Sequence, residues 1–281
     1  QLQHAILSGH DILLLGERGQ AKTRLLRSLT NLLDDYTPYI AGCDIYDDPF
    51  NPICSRCRDL VKEEGDQTKI DWLNRTERYT EKLATPDVSM ADLIGDIDPI
   101  KVAEGRYLSD DFTIHYGLIP RSNRGIFCIN ELPDLPERIQ VGMFNLMEER
   151  DIQVKGYKIQ LPLDILVVAT ANPEDYTNRG RIITPLKDRY GAQIRTHYPK
   201  SIGEEIAIME QESTRFPDSE TIVSMPRYMK EIIAEFTASA RKSGDINQKS
   251  GVSARISIAN YETLIASAMR RSVLYHDKYT S

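Results

Sequence analysis

Short apolar runs alternate with helical apolar spacing over the first part of the chain, and only the helical spacing continues beyond it. Runs such as Ile12–Leu15 and residues 126–129 stop abruptly at glycine or polar residues, as buried parallel strands do. Apolar residues at three- and four-residue spacing follow the first run over residues 25–33. The pattern predicts an α/β domain with a parallel sheet over residues 1–199 and an all-helical domain over residues 200–281.

Three segments interrupt the α/β pattern. Residues 43–85 form a cysteine-containing insert that starts with a Pro-, Asp- and Asn-rich stretch, and its charged part, residues 58–83, predicts surface helices. Apolar residues alternate about glycines in residues 97–117 and again in residues 151–163. We therefore expect two inserted hairpins in addition to the cysteine-containing insert.

The loop after the first run has the composition of a phosphate-binding loop. In GERGQAKT, residues 16–23, Gly16 and Gly19 permit the turn, Lys22 supplies a cation for the phosphates, and Thr23 supplies a hydroxyl for magnesium. Ala21 stands where the G-x-x-x-x-G-K-[ST] pattern has its second glycine. From this stretch alone, an ordinary strand-to-helix turn with a surface lysine is the alternative.

Polar side chains also end two later apolar runs. Asn130 and Glu131 follow residues 126–129, and the run within residues 164–173 ends at Asn172. Ligands of open α/β sheets bind at the carboxyl ends of the strands, so Glu131 is placed to polarise a water for attack on a γ-phosphate. The alternative for Glu131 is a capping role on the next helix. The amide of Asn172 could hold that water or a phosphate oxygen.

Composition and charge exclude several classes of protein. The chain has 281 residues, of which 27% are charged and 41% hydrophobic, as is ordinary for a globular protein. Its net charge of −7 argues against a general nucleic-acid coat. No apolar run approaches the about 18 residues of a membrane span, and no signal peptide opens the sequence, so we expect a cytoplasmic location. Because the first strand begins so close to Gln1, we expect further residues upstream.

Three of the four cysteines cluster in the first insert. Cys43, Cys54 and Cys57 have a spacing that ends in a C-x2-C knuckle, which suits zinc ligands, although no fourth ligand is evident. The alternative is a compact loop with reduced structural thiols. Cys128, within an apolar run, is interpreted as a small buried hydrophobic residue.

Taken together, the motifs resemble those of AAA+ ATPases, and more narrowly the magnesium-chelatase ATPase subunit and the MoxR ATPases. GERGQAKT looks like the MoxR-type Walker A motif, in which alanine before the lysine is common. GLIPRSNRGIFCINELPDL is similar to the chelatase segment that leads into Walker B, and TPDV and IGDID match the region before it. The resemblance covers nearly the whole chain. It implies a P-loop core with three layers, helices on both sides of a parallel sheet (αβα), followed by a helical lid domain.

The resemblance also implies roles for single residues. Lys22 and Thr23 would be the Walker A lysine and the magnesium-bearing hydroxyl, Glu131 the catalytic base, and Asn172 sensor 1. Arg189 looks like the arginine finger that enters a neighbouring subunit's site, and Arg255 looks like sensor 2, whereas either arginine considered alone would be interpreted as a surface ion pair. The other residues implied to contact the nucleotide are Gly16, Glu17, Gly19, Gln20, Ala21 and Arg24.

One position departs from the family pattern. Asn130 replaces the Walker B aspartate, so the usual carboxylate near the magnesium shell is missing. Its amide oxygen could still accept a hydrogen bond from a magnesium-bound water, without contributing charge. Slow hydrolysis, or nucleotide binding used chiefly as a conformational switch, would follow.

The function implied is that of an ATP- and Mg²⁺-dependent ring ATPase, expected to be a hexamer, with nucleotide between the two domains. Its partner would be an unidentified client or a protein with a von Willebrand A-type domain. One alternative is the motor subunit of a metal chelatase. Another is a regulator acting on the sigma-54 holoenzyme, although the GAFTGA loop and a basic DNA-reading helix are missing from the sequence. A third is a nucleotide-binding scaffold with little turnover, suggested by Asn130.

Overall fold

The structure is a computed structural model that describes residues 1–97, 114–150, 152–154, 157–159, 161–172, 180–214, 222–243, 252–275 and 279–280. The chain forms two compact units. The first unit comprises Gln1–Leu15 and Lys22–Arg195, and the second comprises Gly16–Ala21 and Thr196–Ser281. Across the described ranges, every helix is too short or too polar to cross a membrane.

The first unit alternates strands and helices. Its strands are β1 (Ile12–Leu15), β2 (Tyr36–Ile40), β3 (Ile70–Asn74), β4 (Tyr79–Leu83), β5 (Gly95–Ile97), β6 (Ile114–Tyr116), β7 (Gly125–Asn130), β8 (Ile152–Val154), β9 (Tyr157–Ile159), β10 (Ile165–Ala171) and β11 (Ala192–Arg195). Its helices are α1 (Leu2–Leu7), α2 (Lys22–Ser28), α3 (Ser55–Glu64), α4 (Met90–Leu93), α5 (Glu137–Gly142), α6 (Phe144–Glu149) and α7 (Thr184–Arg189).

Five strands form one parallel sheet in the order β11, β1, β10, β7, β4. All six residues of β7 are buried, and successive residues pack into two different cores. Phe127 and Ile129 face one core together with α5, α6 and α7, whereas Ile126 and Cys128 face the other core with α1 and α2. Burying each large apolar side chain contributes about 1.5–3 kcal/mol. The predicted α/β fold with helices on both faces of a parallel sheet is confirmed.

The surface helices expected over residues 58–83 are wrong for most of that range. Only α3 is an α-helix there; β3 pairs antiparallel with β2, and β4 is the edge strand of the main sheet, beside β7. Two of the charges that suggested a solvated helix, Glu81 and Lys82, lie on this edge strand, which pairs with only one neighbouring strand and therefore tolerates charged residues. The expected insert over residues 43–85 thus overlaps a core strand.

Antiparallel strand pairs lie at both places where hairpins were expected. In the segment 97–117, β5 pairs with β6, and residues 98–113 lie outside the described ranges. In the segment 151–163, β8 pairs with β9, and residues 151, 155–156 and 160 lie outside the described ranges. Both pairs are separate two-stranded sheets.

The second unit is built mainly from three helices, α8 (Ile202–Glu212), α9 (Arg227–Lys242) and α10 (Ala254–Tyr275). Met209, Ile233, Ala234 and Tyr261 form its apolar core. The domain was predicted to be all-helical, but it also contains a short parallel pair of strands, β12 (Ile222–Val223) and β13 (Tyr279–Thr280). The helices on which the fold prediction depended are confirmed.

One buried ion pair joins the three helices of the second unit. Glu205, only 2% exposed, accepts two hydrogen bonds from Arg241, at 2.6 and 2.9 Å. The hydroxyl of Ser257 donates a further hydrogen bond to the same carboxylate. A buried carboxylate with this many donors is fully compensated, so the cluster stabilises the helical packing.

Candidate nucleotide-binding site

The glycines of the loop 16–21 are required by close packing within the second unit. A Cβ atom at Gly16 would lie 2.0 Å from Oγ1 of Thr196, and one at Gly19 would lie 2.0 Å from Oγ of Ser253. Gly19 also has φ of +75°, a backbone conformation that suits glycine. The hydroxyl of Thr196 donates to Oε1 of Gln20 at 2.6 Å. The loop is therefore held in a defined shape by its own neighbours.

Ala21 occupies the left-handed region of backbone space, with φ of 57°. This conformation costs a residue with a side chain roughly 1–2 kcal/mol, which explains why phosphate-binding loops favour glycine at this position. Ala21 is exposed, as are Glu17 and Arg24 on either side of it. The alanine thus keeps the backbone shape of a phosphate loop.

Lys22 meets Asn172 at the carboxyl edge of the sheet. The Nζ atom of Lys22 donates to Oδ1 of Asn172 at 2.5 Å, and both residues are buried. They meet because β1 and β10 are parallel neighbours with Leu15 paired to Ala171. Lys22, at the start of α2, and Asn172, directly after β10, therefore lie side by side.

Asn130 lies at the centre of a hydrogen-bonded group beside Thr23. Its Oδ1 atom accepts from the hydroxyls of Thr23, at 3.3 Å, and Thr170, at 3.2 Å. Its amide nitrogen donates a short hydrogen bond to Glu81. The residue therefore uses both its accepting and its donating atoms, as an amide can and an ionised carboxylate cannot.

Glu81 is a site residue that sequence reasoning missed, together with Thr170. It lies on β4, the strand next to β7, and its carboxylate also pairs with Arg27 at 2.7 and 3.0 Å. The two-residue alternation of YTEKL, next to a buried strand, was the signal that could have placed a carboxylate here. Glu81 puts a negative charge beside the position where the family pattern has an aspartate.

Glu131 turns sharply away from the end of β7. Its backbone is left-handed, with φ of 57°, and its N–H donates to Oγ1 of Thr170 at 3.0 Å. The side chain is partly exposed. Within the described part of the chain, its carboxylate makes no hydrogen bond or ion pair. The turn fixes the backbone of Glu131 while leaving the carboxylate open to a ligand.

The two arginines have different surroundings. Arg189 pairs with Glu148 at 2.5 Å and lies 4.4 Å from the centre of the Phe144 ring, so in the described structure it contacts α6 and its own helix α7. Arg255 is exposed in the first turn of α10, where its N–H donates to Oγ of Ser253. Neither arrangement tests the roles that the resemblance implies.

The cysteines fall into two environments. Cys43, Cys54 and Cys57 are buried together, and Asp47 joins them, with the potential ligand atoms of all four within 4.8 Å of one another. Cys128 lies in β7, where burial raises the pKa of its thiol to about 12. All four thiols are free of disulfides. The fourth polar group beside the cysteine cluster was not evident from the sequence.

Comparison with known proteins gives one family match and several relatives. The model of the Sigma-54 interaction domain matches residues 104–187. Magnesium-chelatase subunit ChlI of Bigelowiella natans is 24% identical over 83% of this chain and 61% of that protein. The ChlI homolog of Methanocaldococcus jannaschii is 26% identical over 71% of this chain and 51% of its own length. The chain therefore spans about half to three fifths of these relatives.

Among solved structures, the complex between subunits BchI and BchD of magnesium chelatase superposes with a TM-score of 0.53 at 17% identity. The match covers 96% of this chain and 72% of that one, which shows a shared fold. Together these findings show that the chain has the AAA+ fold and is related to the magnesium-chelatase ChlI subunits.

Proposed function

We propose that the protein binds ATP with Mg²⁺, hydrolyses it, and works as a ring-forming motor on a protein partner. The observation that supports this most directly is the pair of hydrogen bonds from Lys22 to Asn172 and from Thr23 to Asn130. The two bonds lie at the carboxyl edge of three adjacent strands, where Lys22 and Thr23 are the proposed ligands of phosphate and magnesium. Glu131, the proposed base, follows Asn130 directly.

The donor set fits a hydrated magnesium ion. The hydroxyl of Thr23 and the amide oxygen of Asn130 are 3.3 Å apart, and neutral oxygens of this kind suit a cation that keeps several of its waters. When bound, Mg²⁺ neutralises charge on the β- and γ-phosphates. Glu81 adds the negative charge that Asn130 lacks, because its carboxylate lies against the amide of Asn130. The missing aspartate is thus compensated from a neighbouring strand.

Lys22 would exchange partners on binding. Its ammonium group now donates to Asn172, and a phosphate oxygen is the stronger acceptor. Nucleotide would therefore release the amide of Asn172, which could then hold the attacking water or a γ-phosphate oxygen. This exchange makes Asn172 a sensor of whether the phosphate is present.

Replacing Glu131 by glutamine tests the proposed base. The carboxylate of Glu131 would accept a proton from the attacking water, and an amide cannot do so. We expect Glu131→Gln to reduce ATP turnover by at least about 100-fold while leaving ATP affinity unchanged. Glu149→Gln, on the exposed end of α6, is the matched control and should keep full turnover. Undiminished hydrolysis in Glu131→Gln would reject the role.

The proposed ring, in which each subunit supplies an arginine finger to its neighbour's nucleotide site, can be tested by mixing variants. We propose that Arg189 leaves Glu148 to contact the nucleotide of the neighbouring subunit. Arg189→Ala and Glu131→Gln should each be inactive alone. Mixed rings should recover part of the activity, because one subunit then has Glu131 and its neighbour supplies Arg189. Specific activity of the wild type should also rise with protein concentration; a constant, zero activity would instead support a scaffold.

Two candidate types of motor differ in the partner on which they would act. Relatives named as magnesium-chelatase subunits, and the BchI–BchD complex, favour the motor subunit of a metal chelatase as a second candidate beside a MoxR-type remodelling motor. The match to the Sigma-54 interaction domain covers residues 104–187 only. Proteins that co-purify with the Glu131→Gln variant in ATP would discriminate: a chelatase catalytic subunit, a von Willebrand A-type protein, or RNA polymerase.

A further inference from the structure

A second polar cluster, in the loop between β2 and α3 and the first turn of α3, contains none of the residues proposed to bind nucleotide. Cys43, Asp47, Cys54 and Cys57 are 5%, 0%, 5% and 1% exposed, and their potential ligand atoms all lie within 4.8 Å of one another. Three thiols and one carboxylate, gathered this tightly and buried, would repel one another if ionised. A shared cation would remove that repulsion.

The spacing suits one tetrahedral ion. Thiolates bound to a single zinc at about 2.3 Å lie about 3.8 Å apart, which falls inside the observed limit. Thiolates that bind separate irons of an iron–sulfur cluster stand farther apart than ligands of one ion. The short distances therefore favour a single ion, and a set of soft sulfur donors with one carboxylate favours zinc among the common divalent cations.

Asp47 supplies an independent sign of a missing partner. Its Oδ2 atom accepts from the N–H groups of Ile53, at 3.2 Å, and Cys54, at 2.9 Å. Its Oδ1 atom is buried and has no hydrogen-bond partner in the described structure. Buried carboxylate oxygens are nearly always paired, because an unpaired one loses its hydration without compensation. Oδ1 is therefore free to act as the fourth ligand.

The backbone around the cluster is arranged for thiolates. The N–H of Asp47 donates to Sγ of Cys43 at 3.5 Å, and the N–H of Cys57 donates to Sγ of Cys54 at 3.4 Å. Cys54 is also the N-cap of α3, where the helix dipole favours negative charge.

We propose that Cys43, Asp47, Cys54 and Cys57 bind one Zn²⁺ ion that stabilises the first unit. The loop that they close is attached to the start of β7: the amide of Asn123 donates to the carbonyl of Ile45 at 3.1 Å. With all four positions filled by protein ligands, the ion has a structural role and activates no water. The site is independent of ATP turnover.

The first test measures metal in the whole chain, purified under reducing conditions without chelator. We expect about one zinc and no iron per chain by elemental mass spectrometry. Replacing zinc with Co²⁺ should give the intense near-ultraviolet sulfur-to-cobalt absorption and the visible bands of a tetrahedral site. A folded chain that carries no zinc and binds no Co²⁺ would overturn the proposal, as would stoichiometric iron.

Variants test the ligand set. Asp47→Asn should weaken zinc binding by at least about tenfold and alter the Co²⁺ spectrum, whereas Asp44→Asn, an exposed carboxylate of the same loop, should change neither. Cys57→Ser should lose the metal and Cys128→Ala should keep it. If Asp47→Asn binds zinc as tightly as wild type, Asp47 is not a ligand.

The effect of zinc on the Tm of the wild-type protein tests the structural role without requiring that any variant folds. A strong zinc chelator should lower Tm by roughly 5–10 °C, and added Zn²⁺, but not Mg²⁺, should restore it. ATP binding of the chain, measured separately, should survive in Asp47→Asn preparations that remain folded. An unchanged Tm after complete zinc removal would reject the structural role.

Discussion

The two units of the chain each contain a buried polar cluster, and the clusters differ in how completely they are compensated. In the second unit, both carboxylate oxygens of Glu205 accept hydrogen bonds from Arg241, and the hydroxyl of Ser257 donates a third. In the first unit, Asn130 is neutral and bridges hydroxyls to Glu81, whose charge pairs with Arg27 on a largely exposed side. Glu131, next to it, has a carboxylate with no partner among the described residues.

The difference suggests that the cluster in the second unit stabilises the fold, whereas the cluster in the first unit is suited to binding a ligand. A closed, charge-balanced cluster gains nothing from a further molecule, so it serves packing. A cluster at the carboxyl edge of parallel strands, in which Lys22 donates to the amide of Asn172, would gain strong contacts if phosphate bound there. Substitutions should therefore reduce stability in the second unit and binding or turnover in the first.

The largest effect is expected from Arg241→Ala. Removing the guanidinium leaves Glu205 buried without its counter-ion, so the free energy of unfolding of the second unit should fall by about 3–5 kcal/mol. Denaturant unfolding followed by far-ultraviolet circular dichroism measures it. Arg227→Ala removes an exposed partner of Glu231 and should cost less than about 0.5 kcal/mol. Similar losses in the two variants would erase the distinction between the clusters.

Lys22→Ala should have the next largest effect, and on binding instead of stability. Loss of the cation for the phosphates should weaken ATP affinity by on the order of 100-fold, about 2.7 kcal/mol. Isothermal calorimetry measures the affinity, and a thermal scan should show Tm within a few degrees of wild type. Lys62→Ala, which removes an exposed positive charge on α3, is the control and should bind ATP normally.

The relation between Asn130 and Glu81 can be tested by a double substitution. Asn130→Asp restores the family residue, but the new carboxylate would face that of Glu81, so turnover should fall by about tenfold. Adding Glu81→Gln removes the repulsion and should recover turnover to at least the wild-type level. A gain of activity in Asn130→Asp alone would show that Glu81 does not compensate for the missing charge.

The smallest effect is expected at Ala21. Ala21→Gly relieves left-handed strain but gives the unfolded chain more freedom, so the net stabilisation should be about 0.5 kcal/mol with unchanged ATP affinity. Ala240→Gly, in the right-handed backbone of α9, should instead destabilise by about 1 kcal/mol. Chemical denaturation compares them, and equal signs would contradict the conformational argument.

The sequence was sufficient where a property depends on neighbours along the chain. The apolar runs predicted the parallel strands, and their polar ends predicted where Asn130 and Asn172 lie. The sequence did not predict residues that come from another strand or from a different part of a loop. Glu81 contacts Asn130 because of the register between β4 and β7. Asp47 lies beside the cysteines because of the path of the loop. The helix predicted over β4 was wrong because Glu81 and Lys82, on an edge strand, gave the same charged pattern as the exposed face of a helix.

The pairing of Arg189 with Glu148 has a consequence for assembly. If Arg189 serves a neighbouring subunit, each new contact between subunits must first break an ion pair that is already satisfied. Without nucleotide, this exchange brings little net gain, and separate chains are favoured. With a γ-phosphate across the interface, the arginine gains a doubly charged partner and association becomes favourable. The number of chains in the particle would then depend on the ratio of ATP to ADP, and mass photometry could follow it.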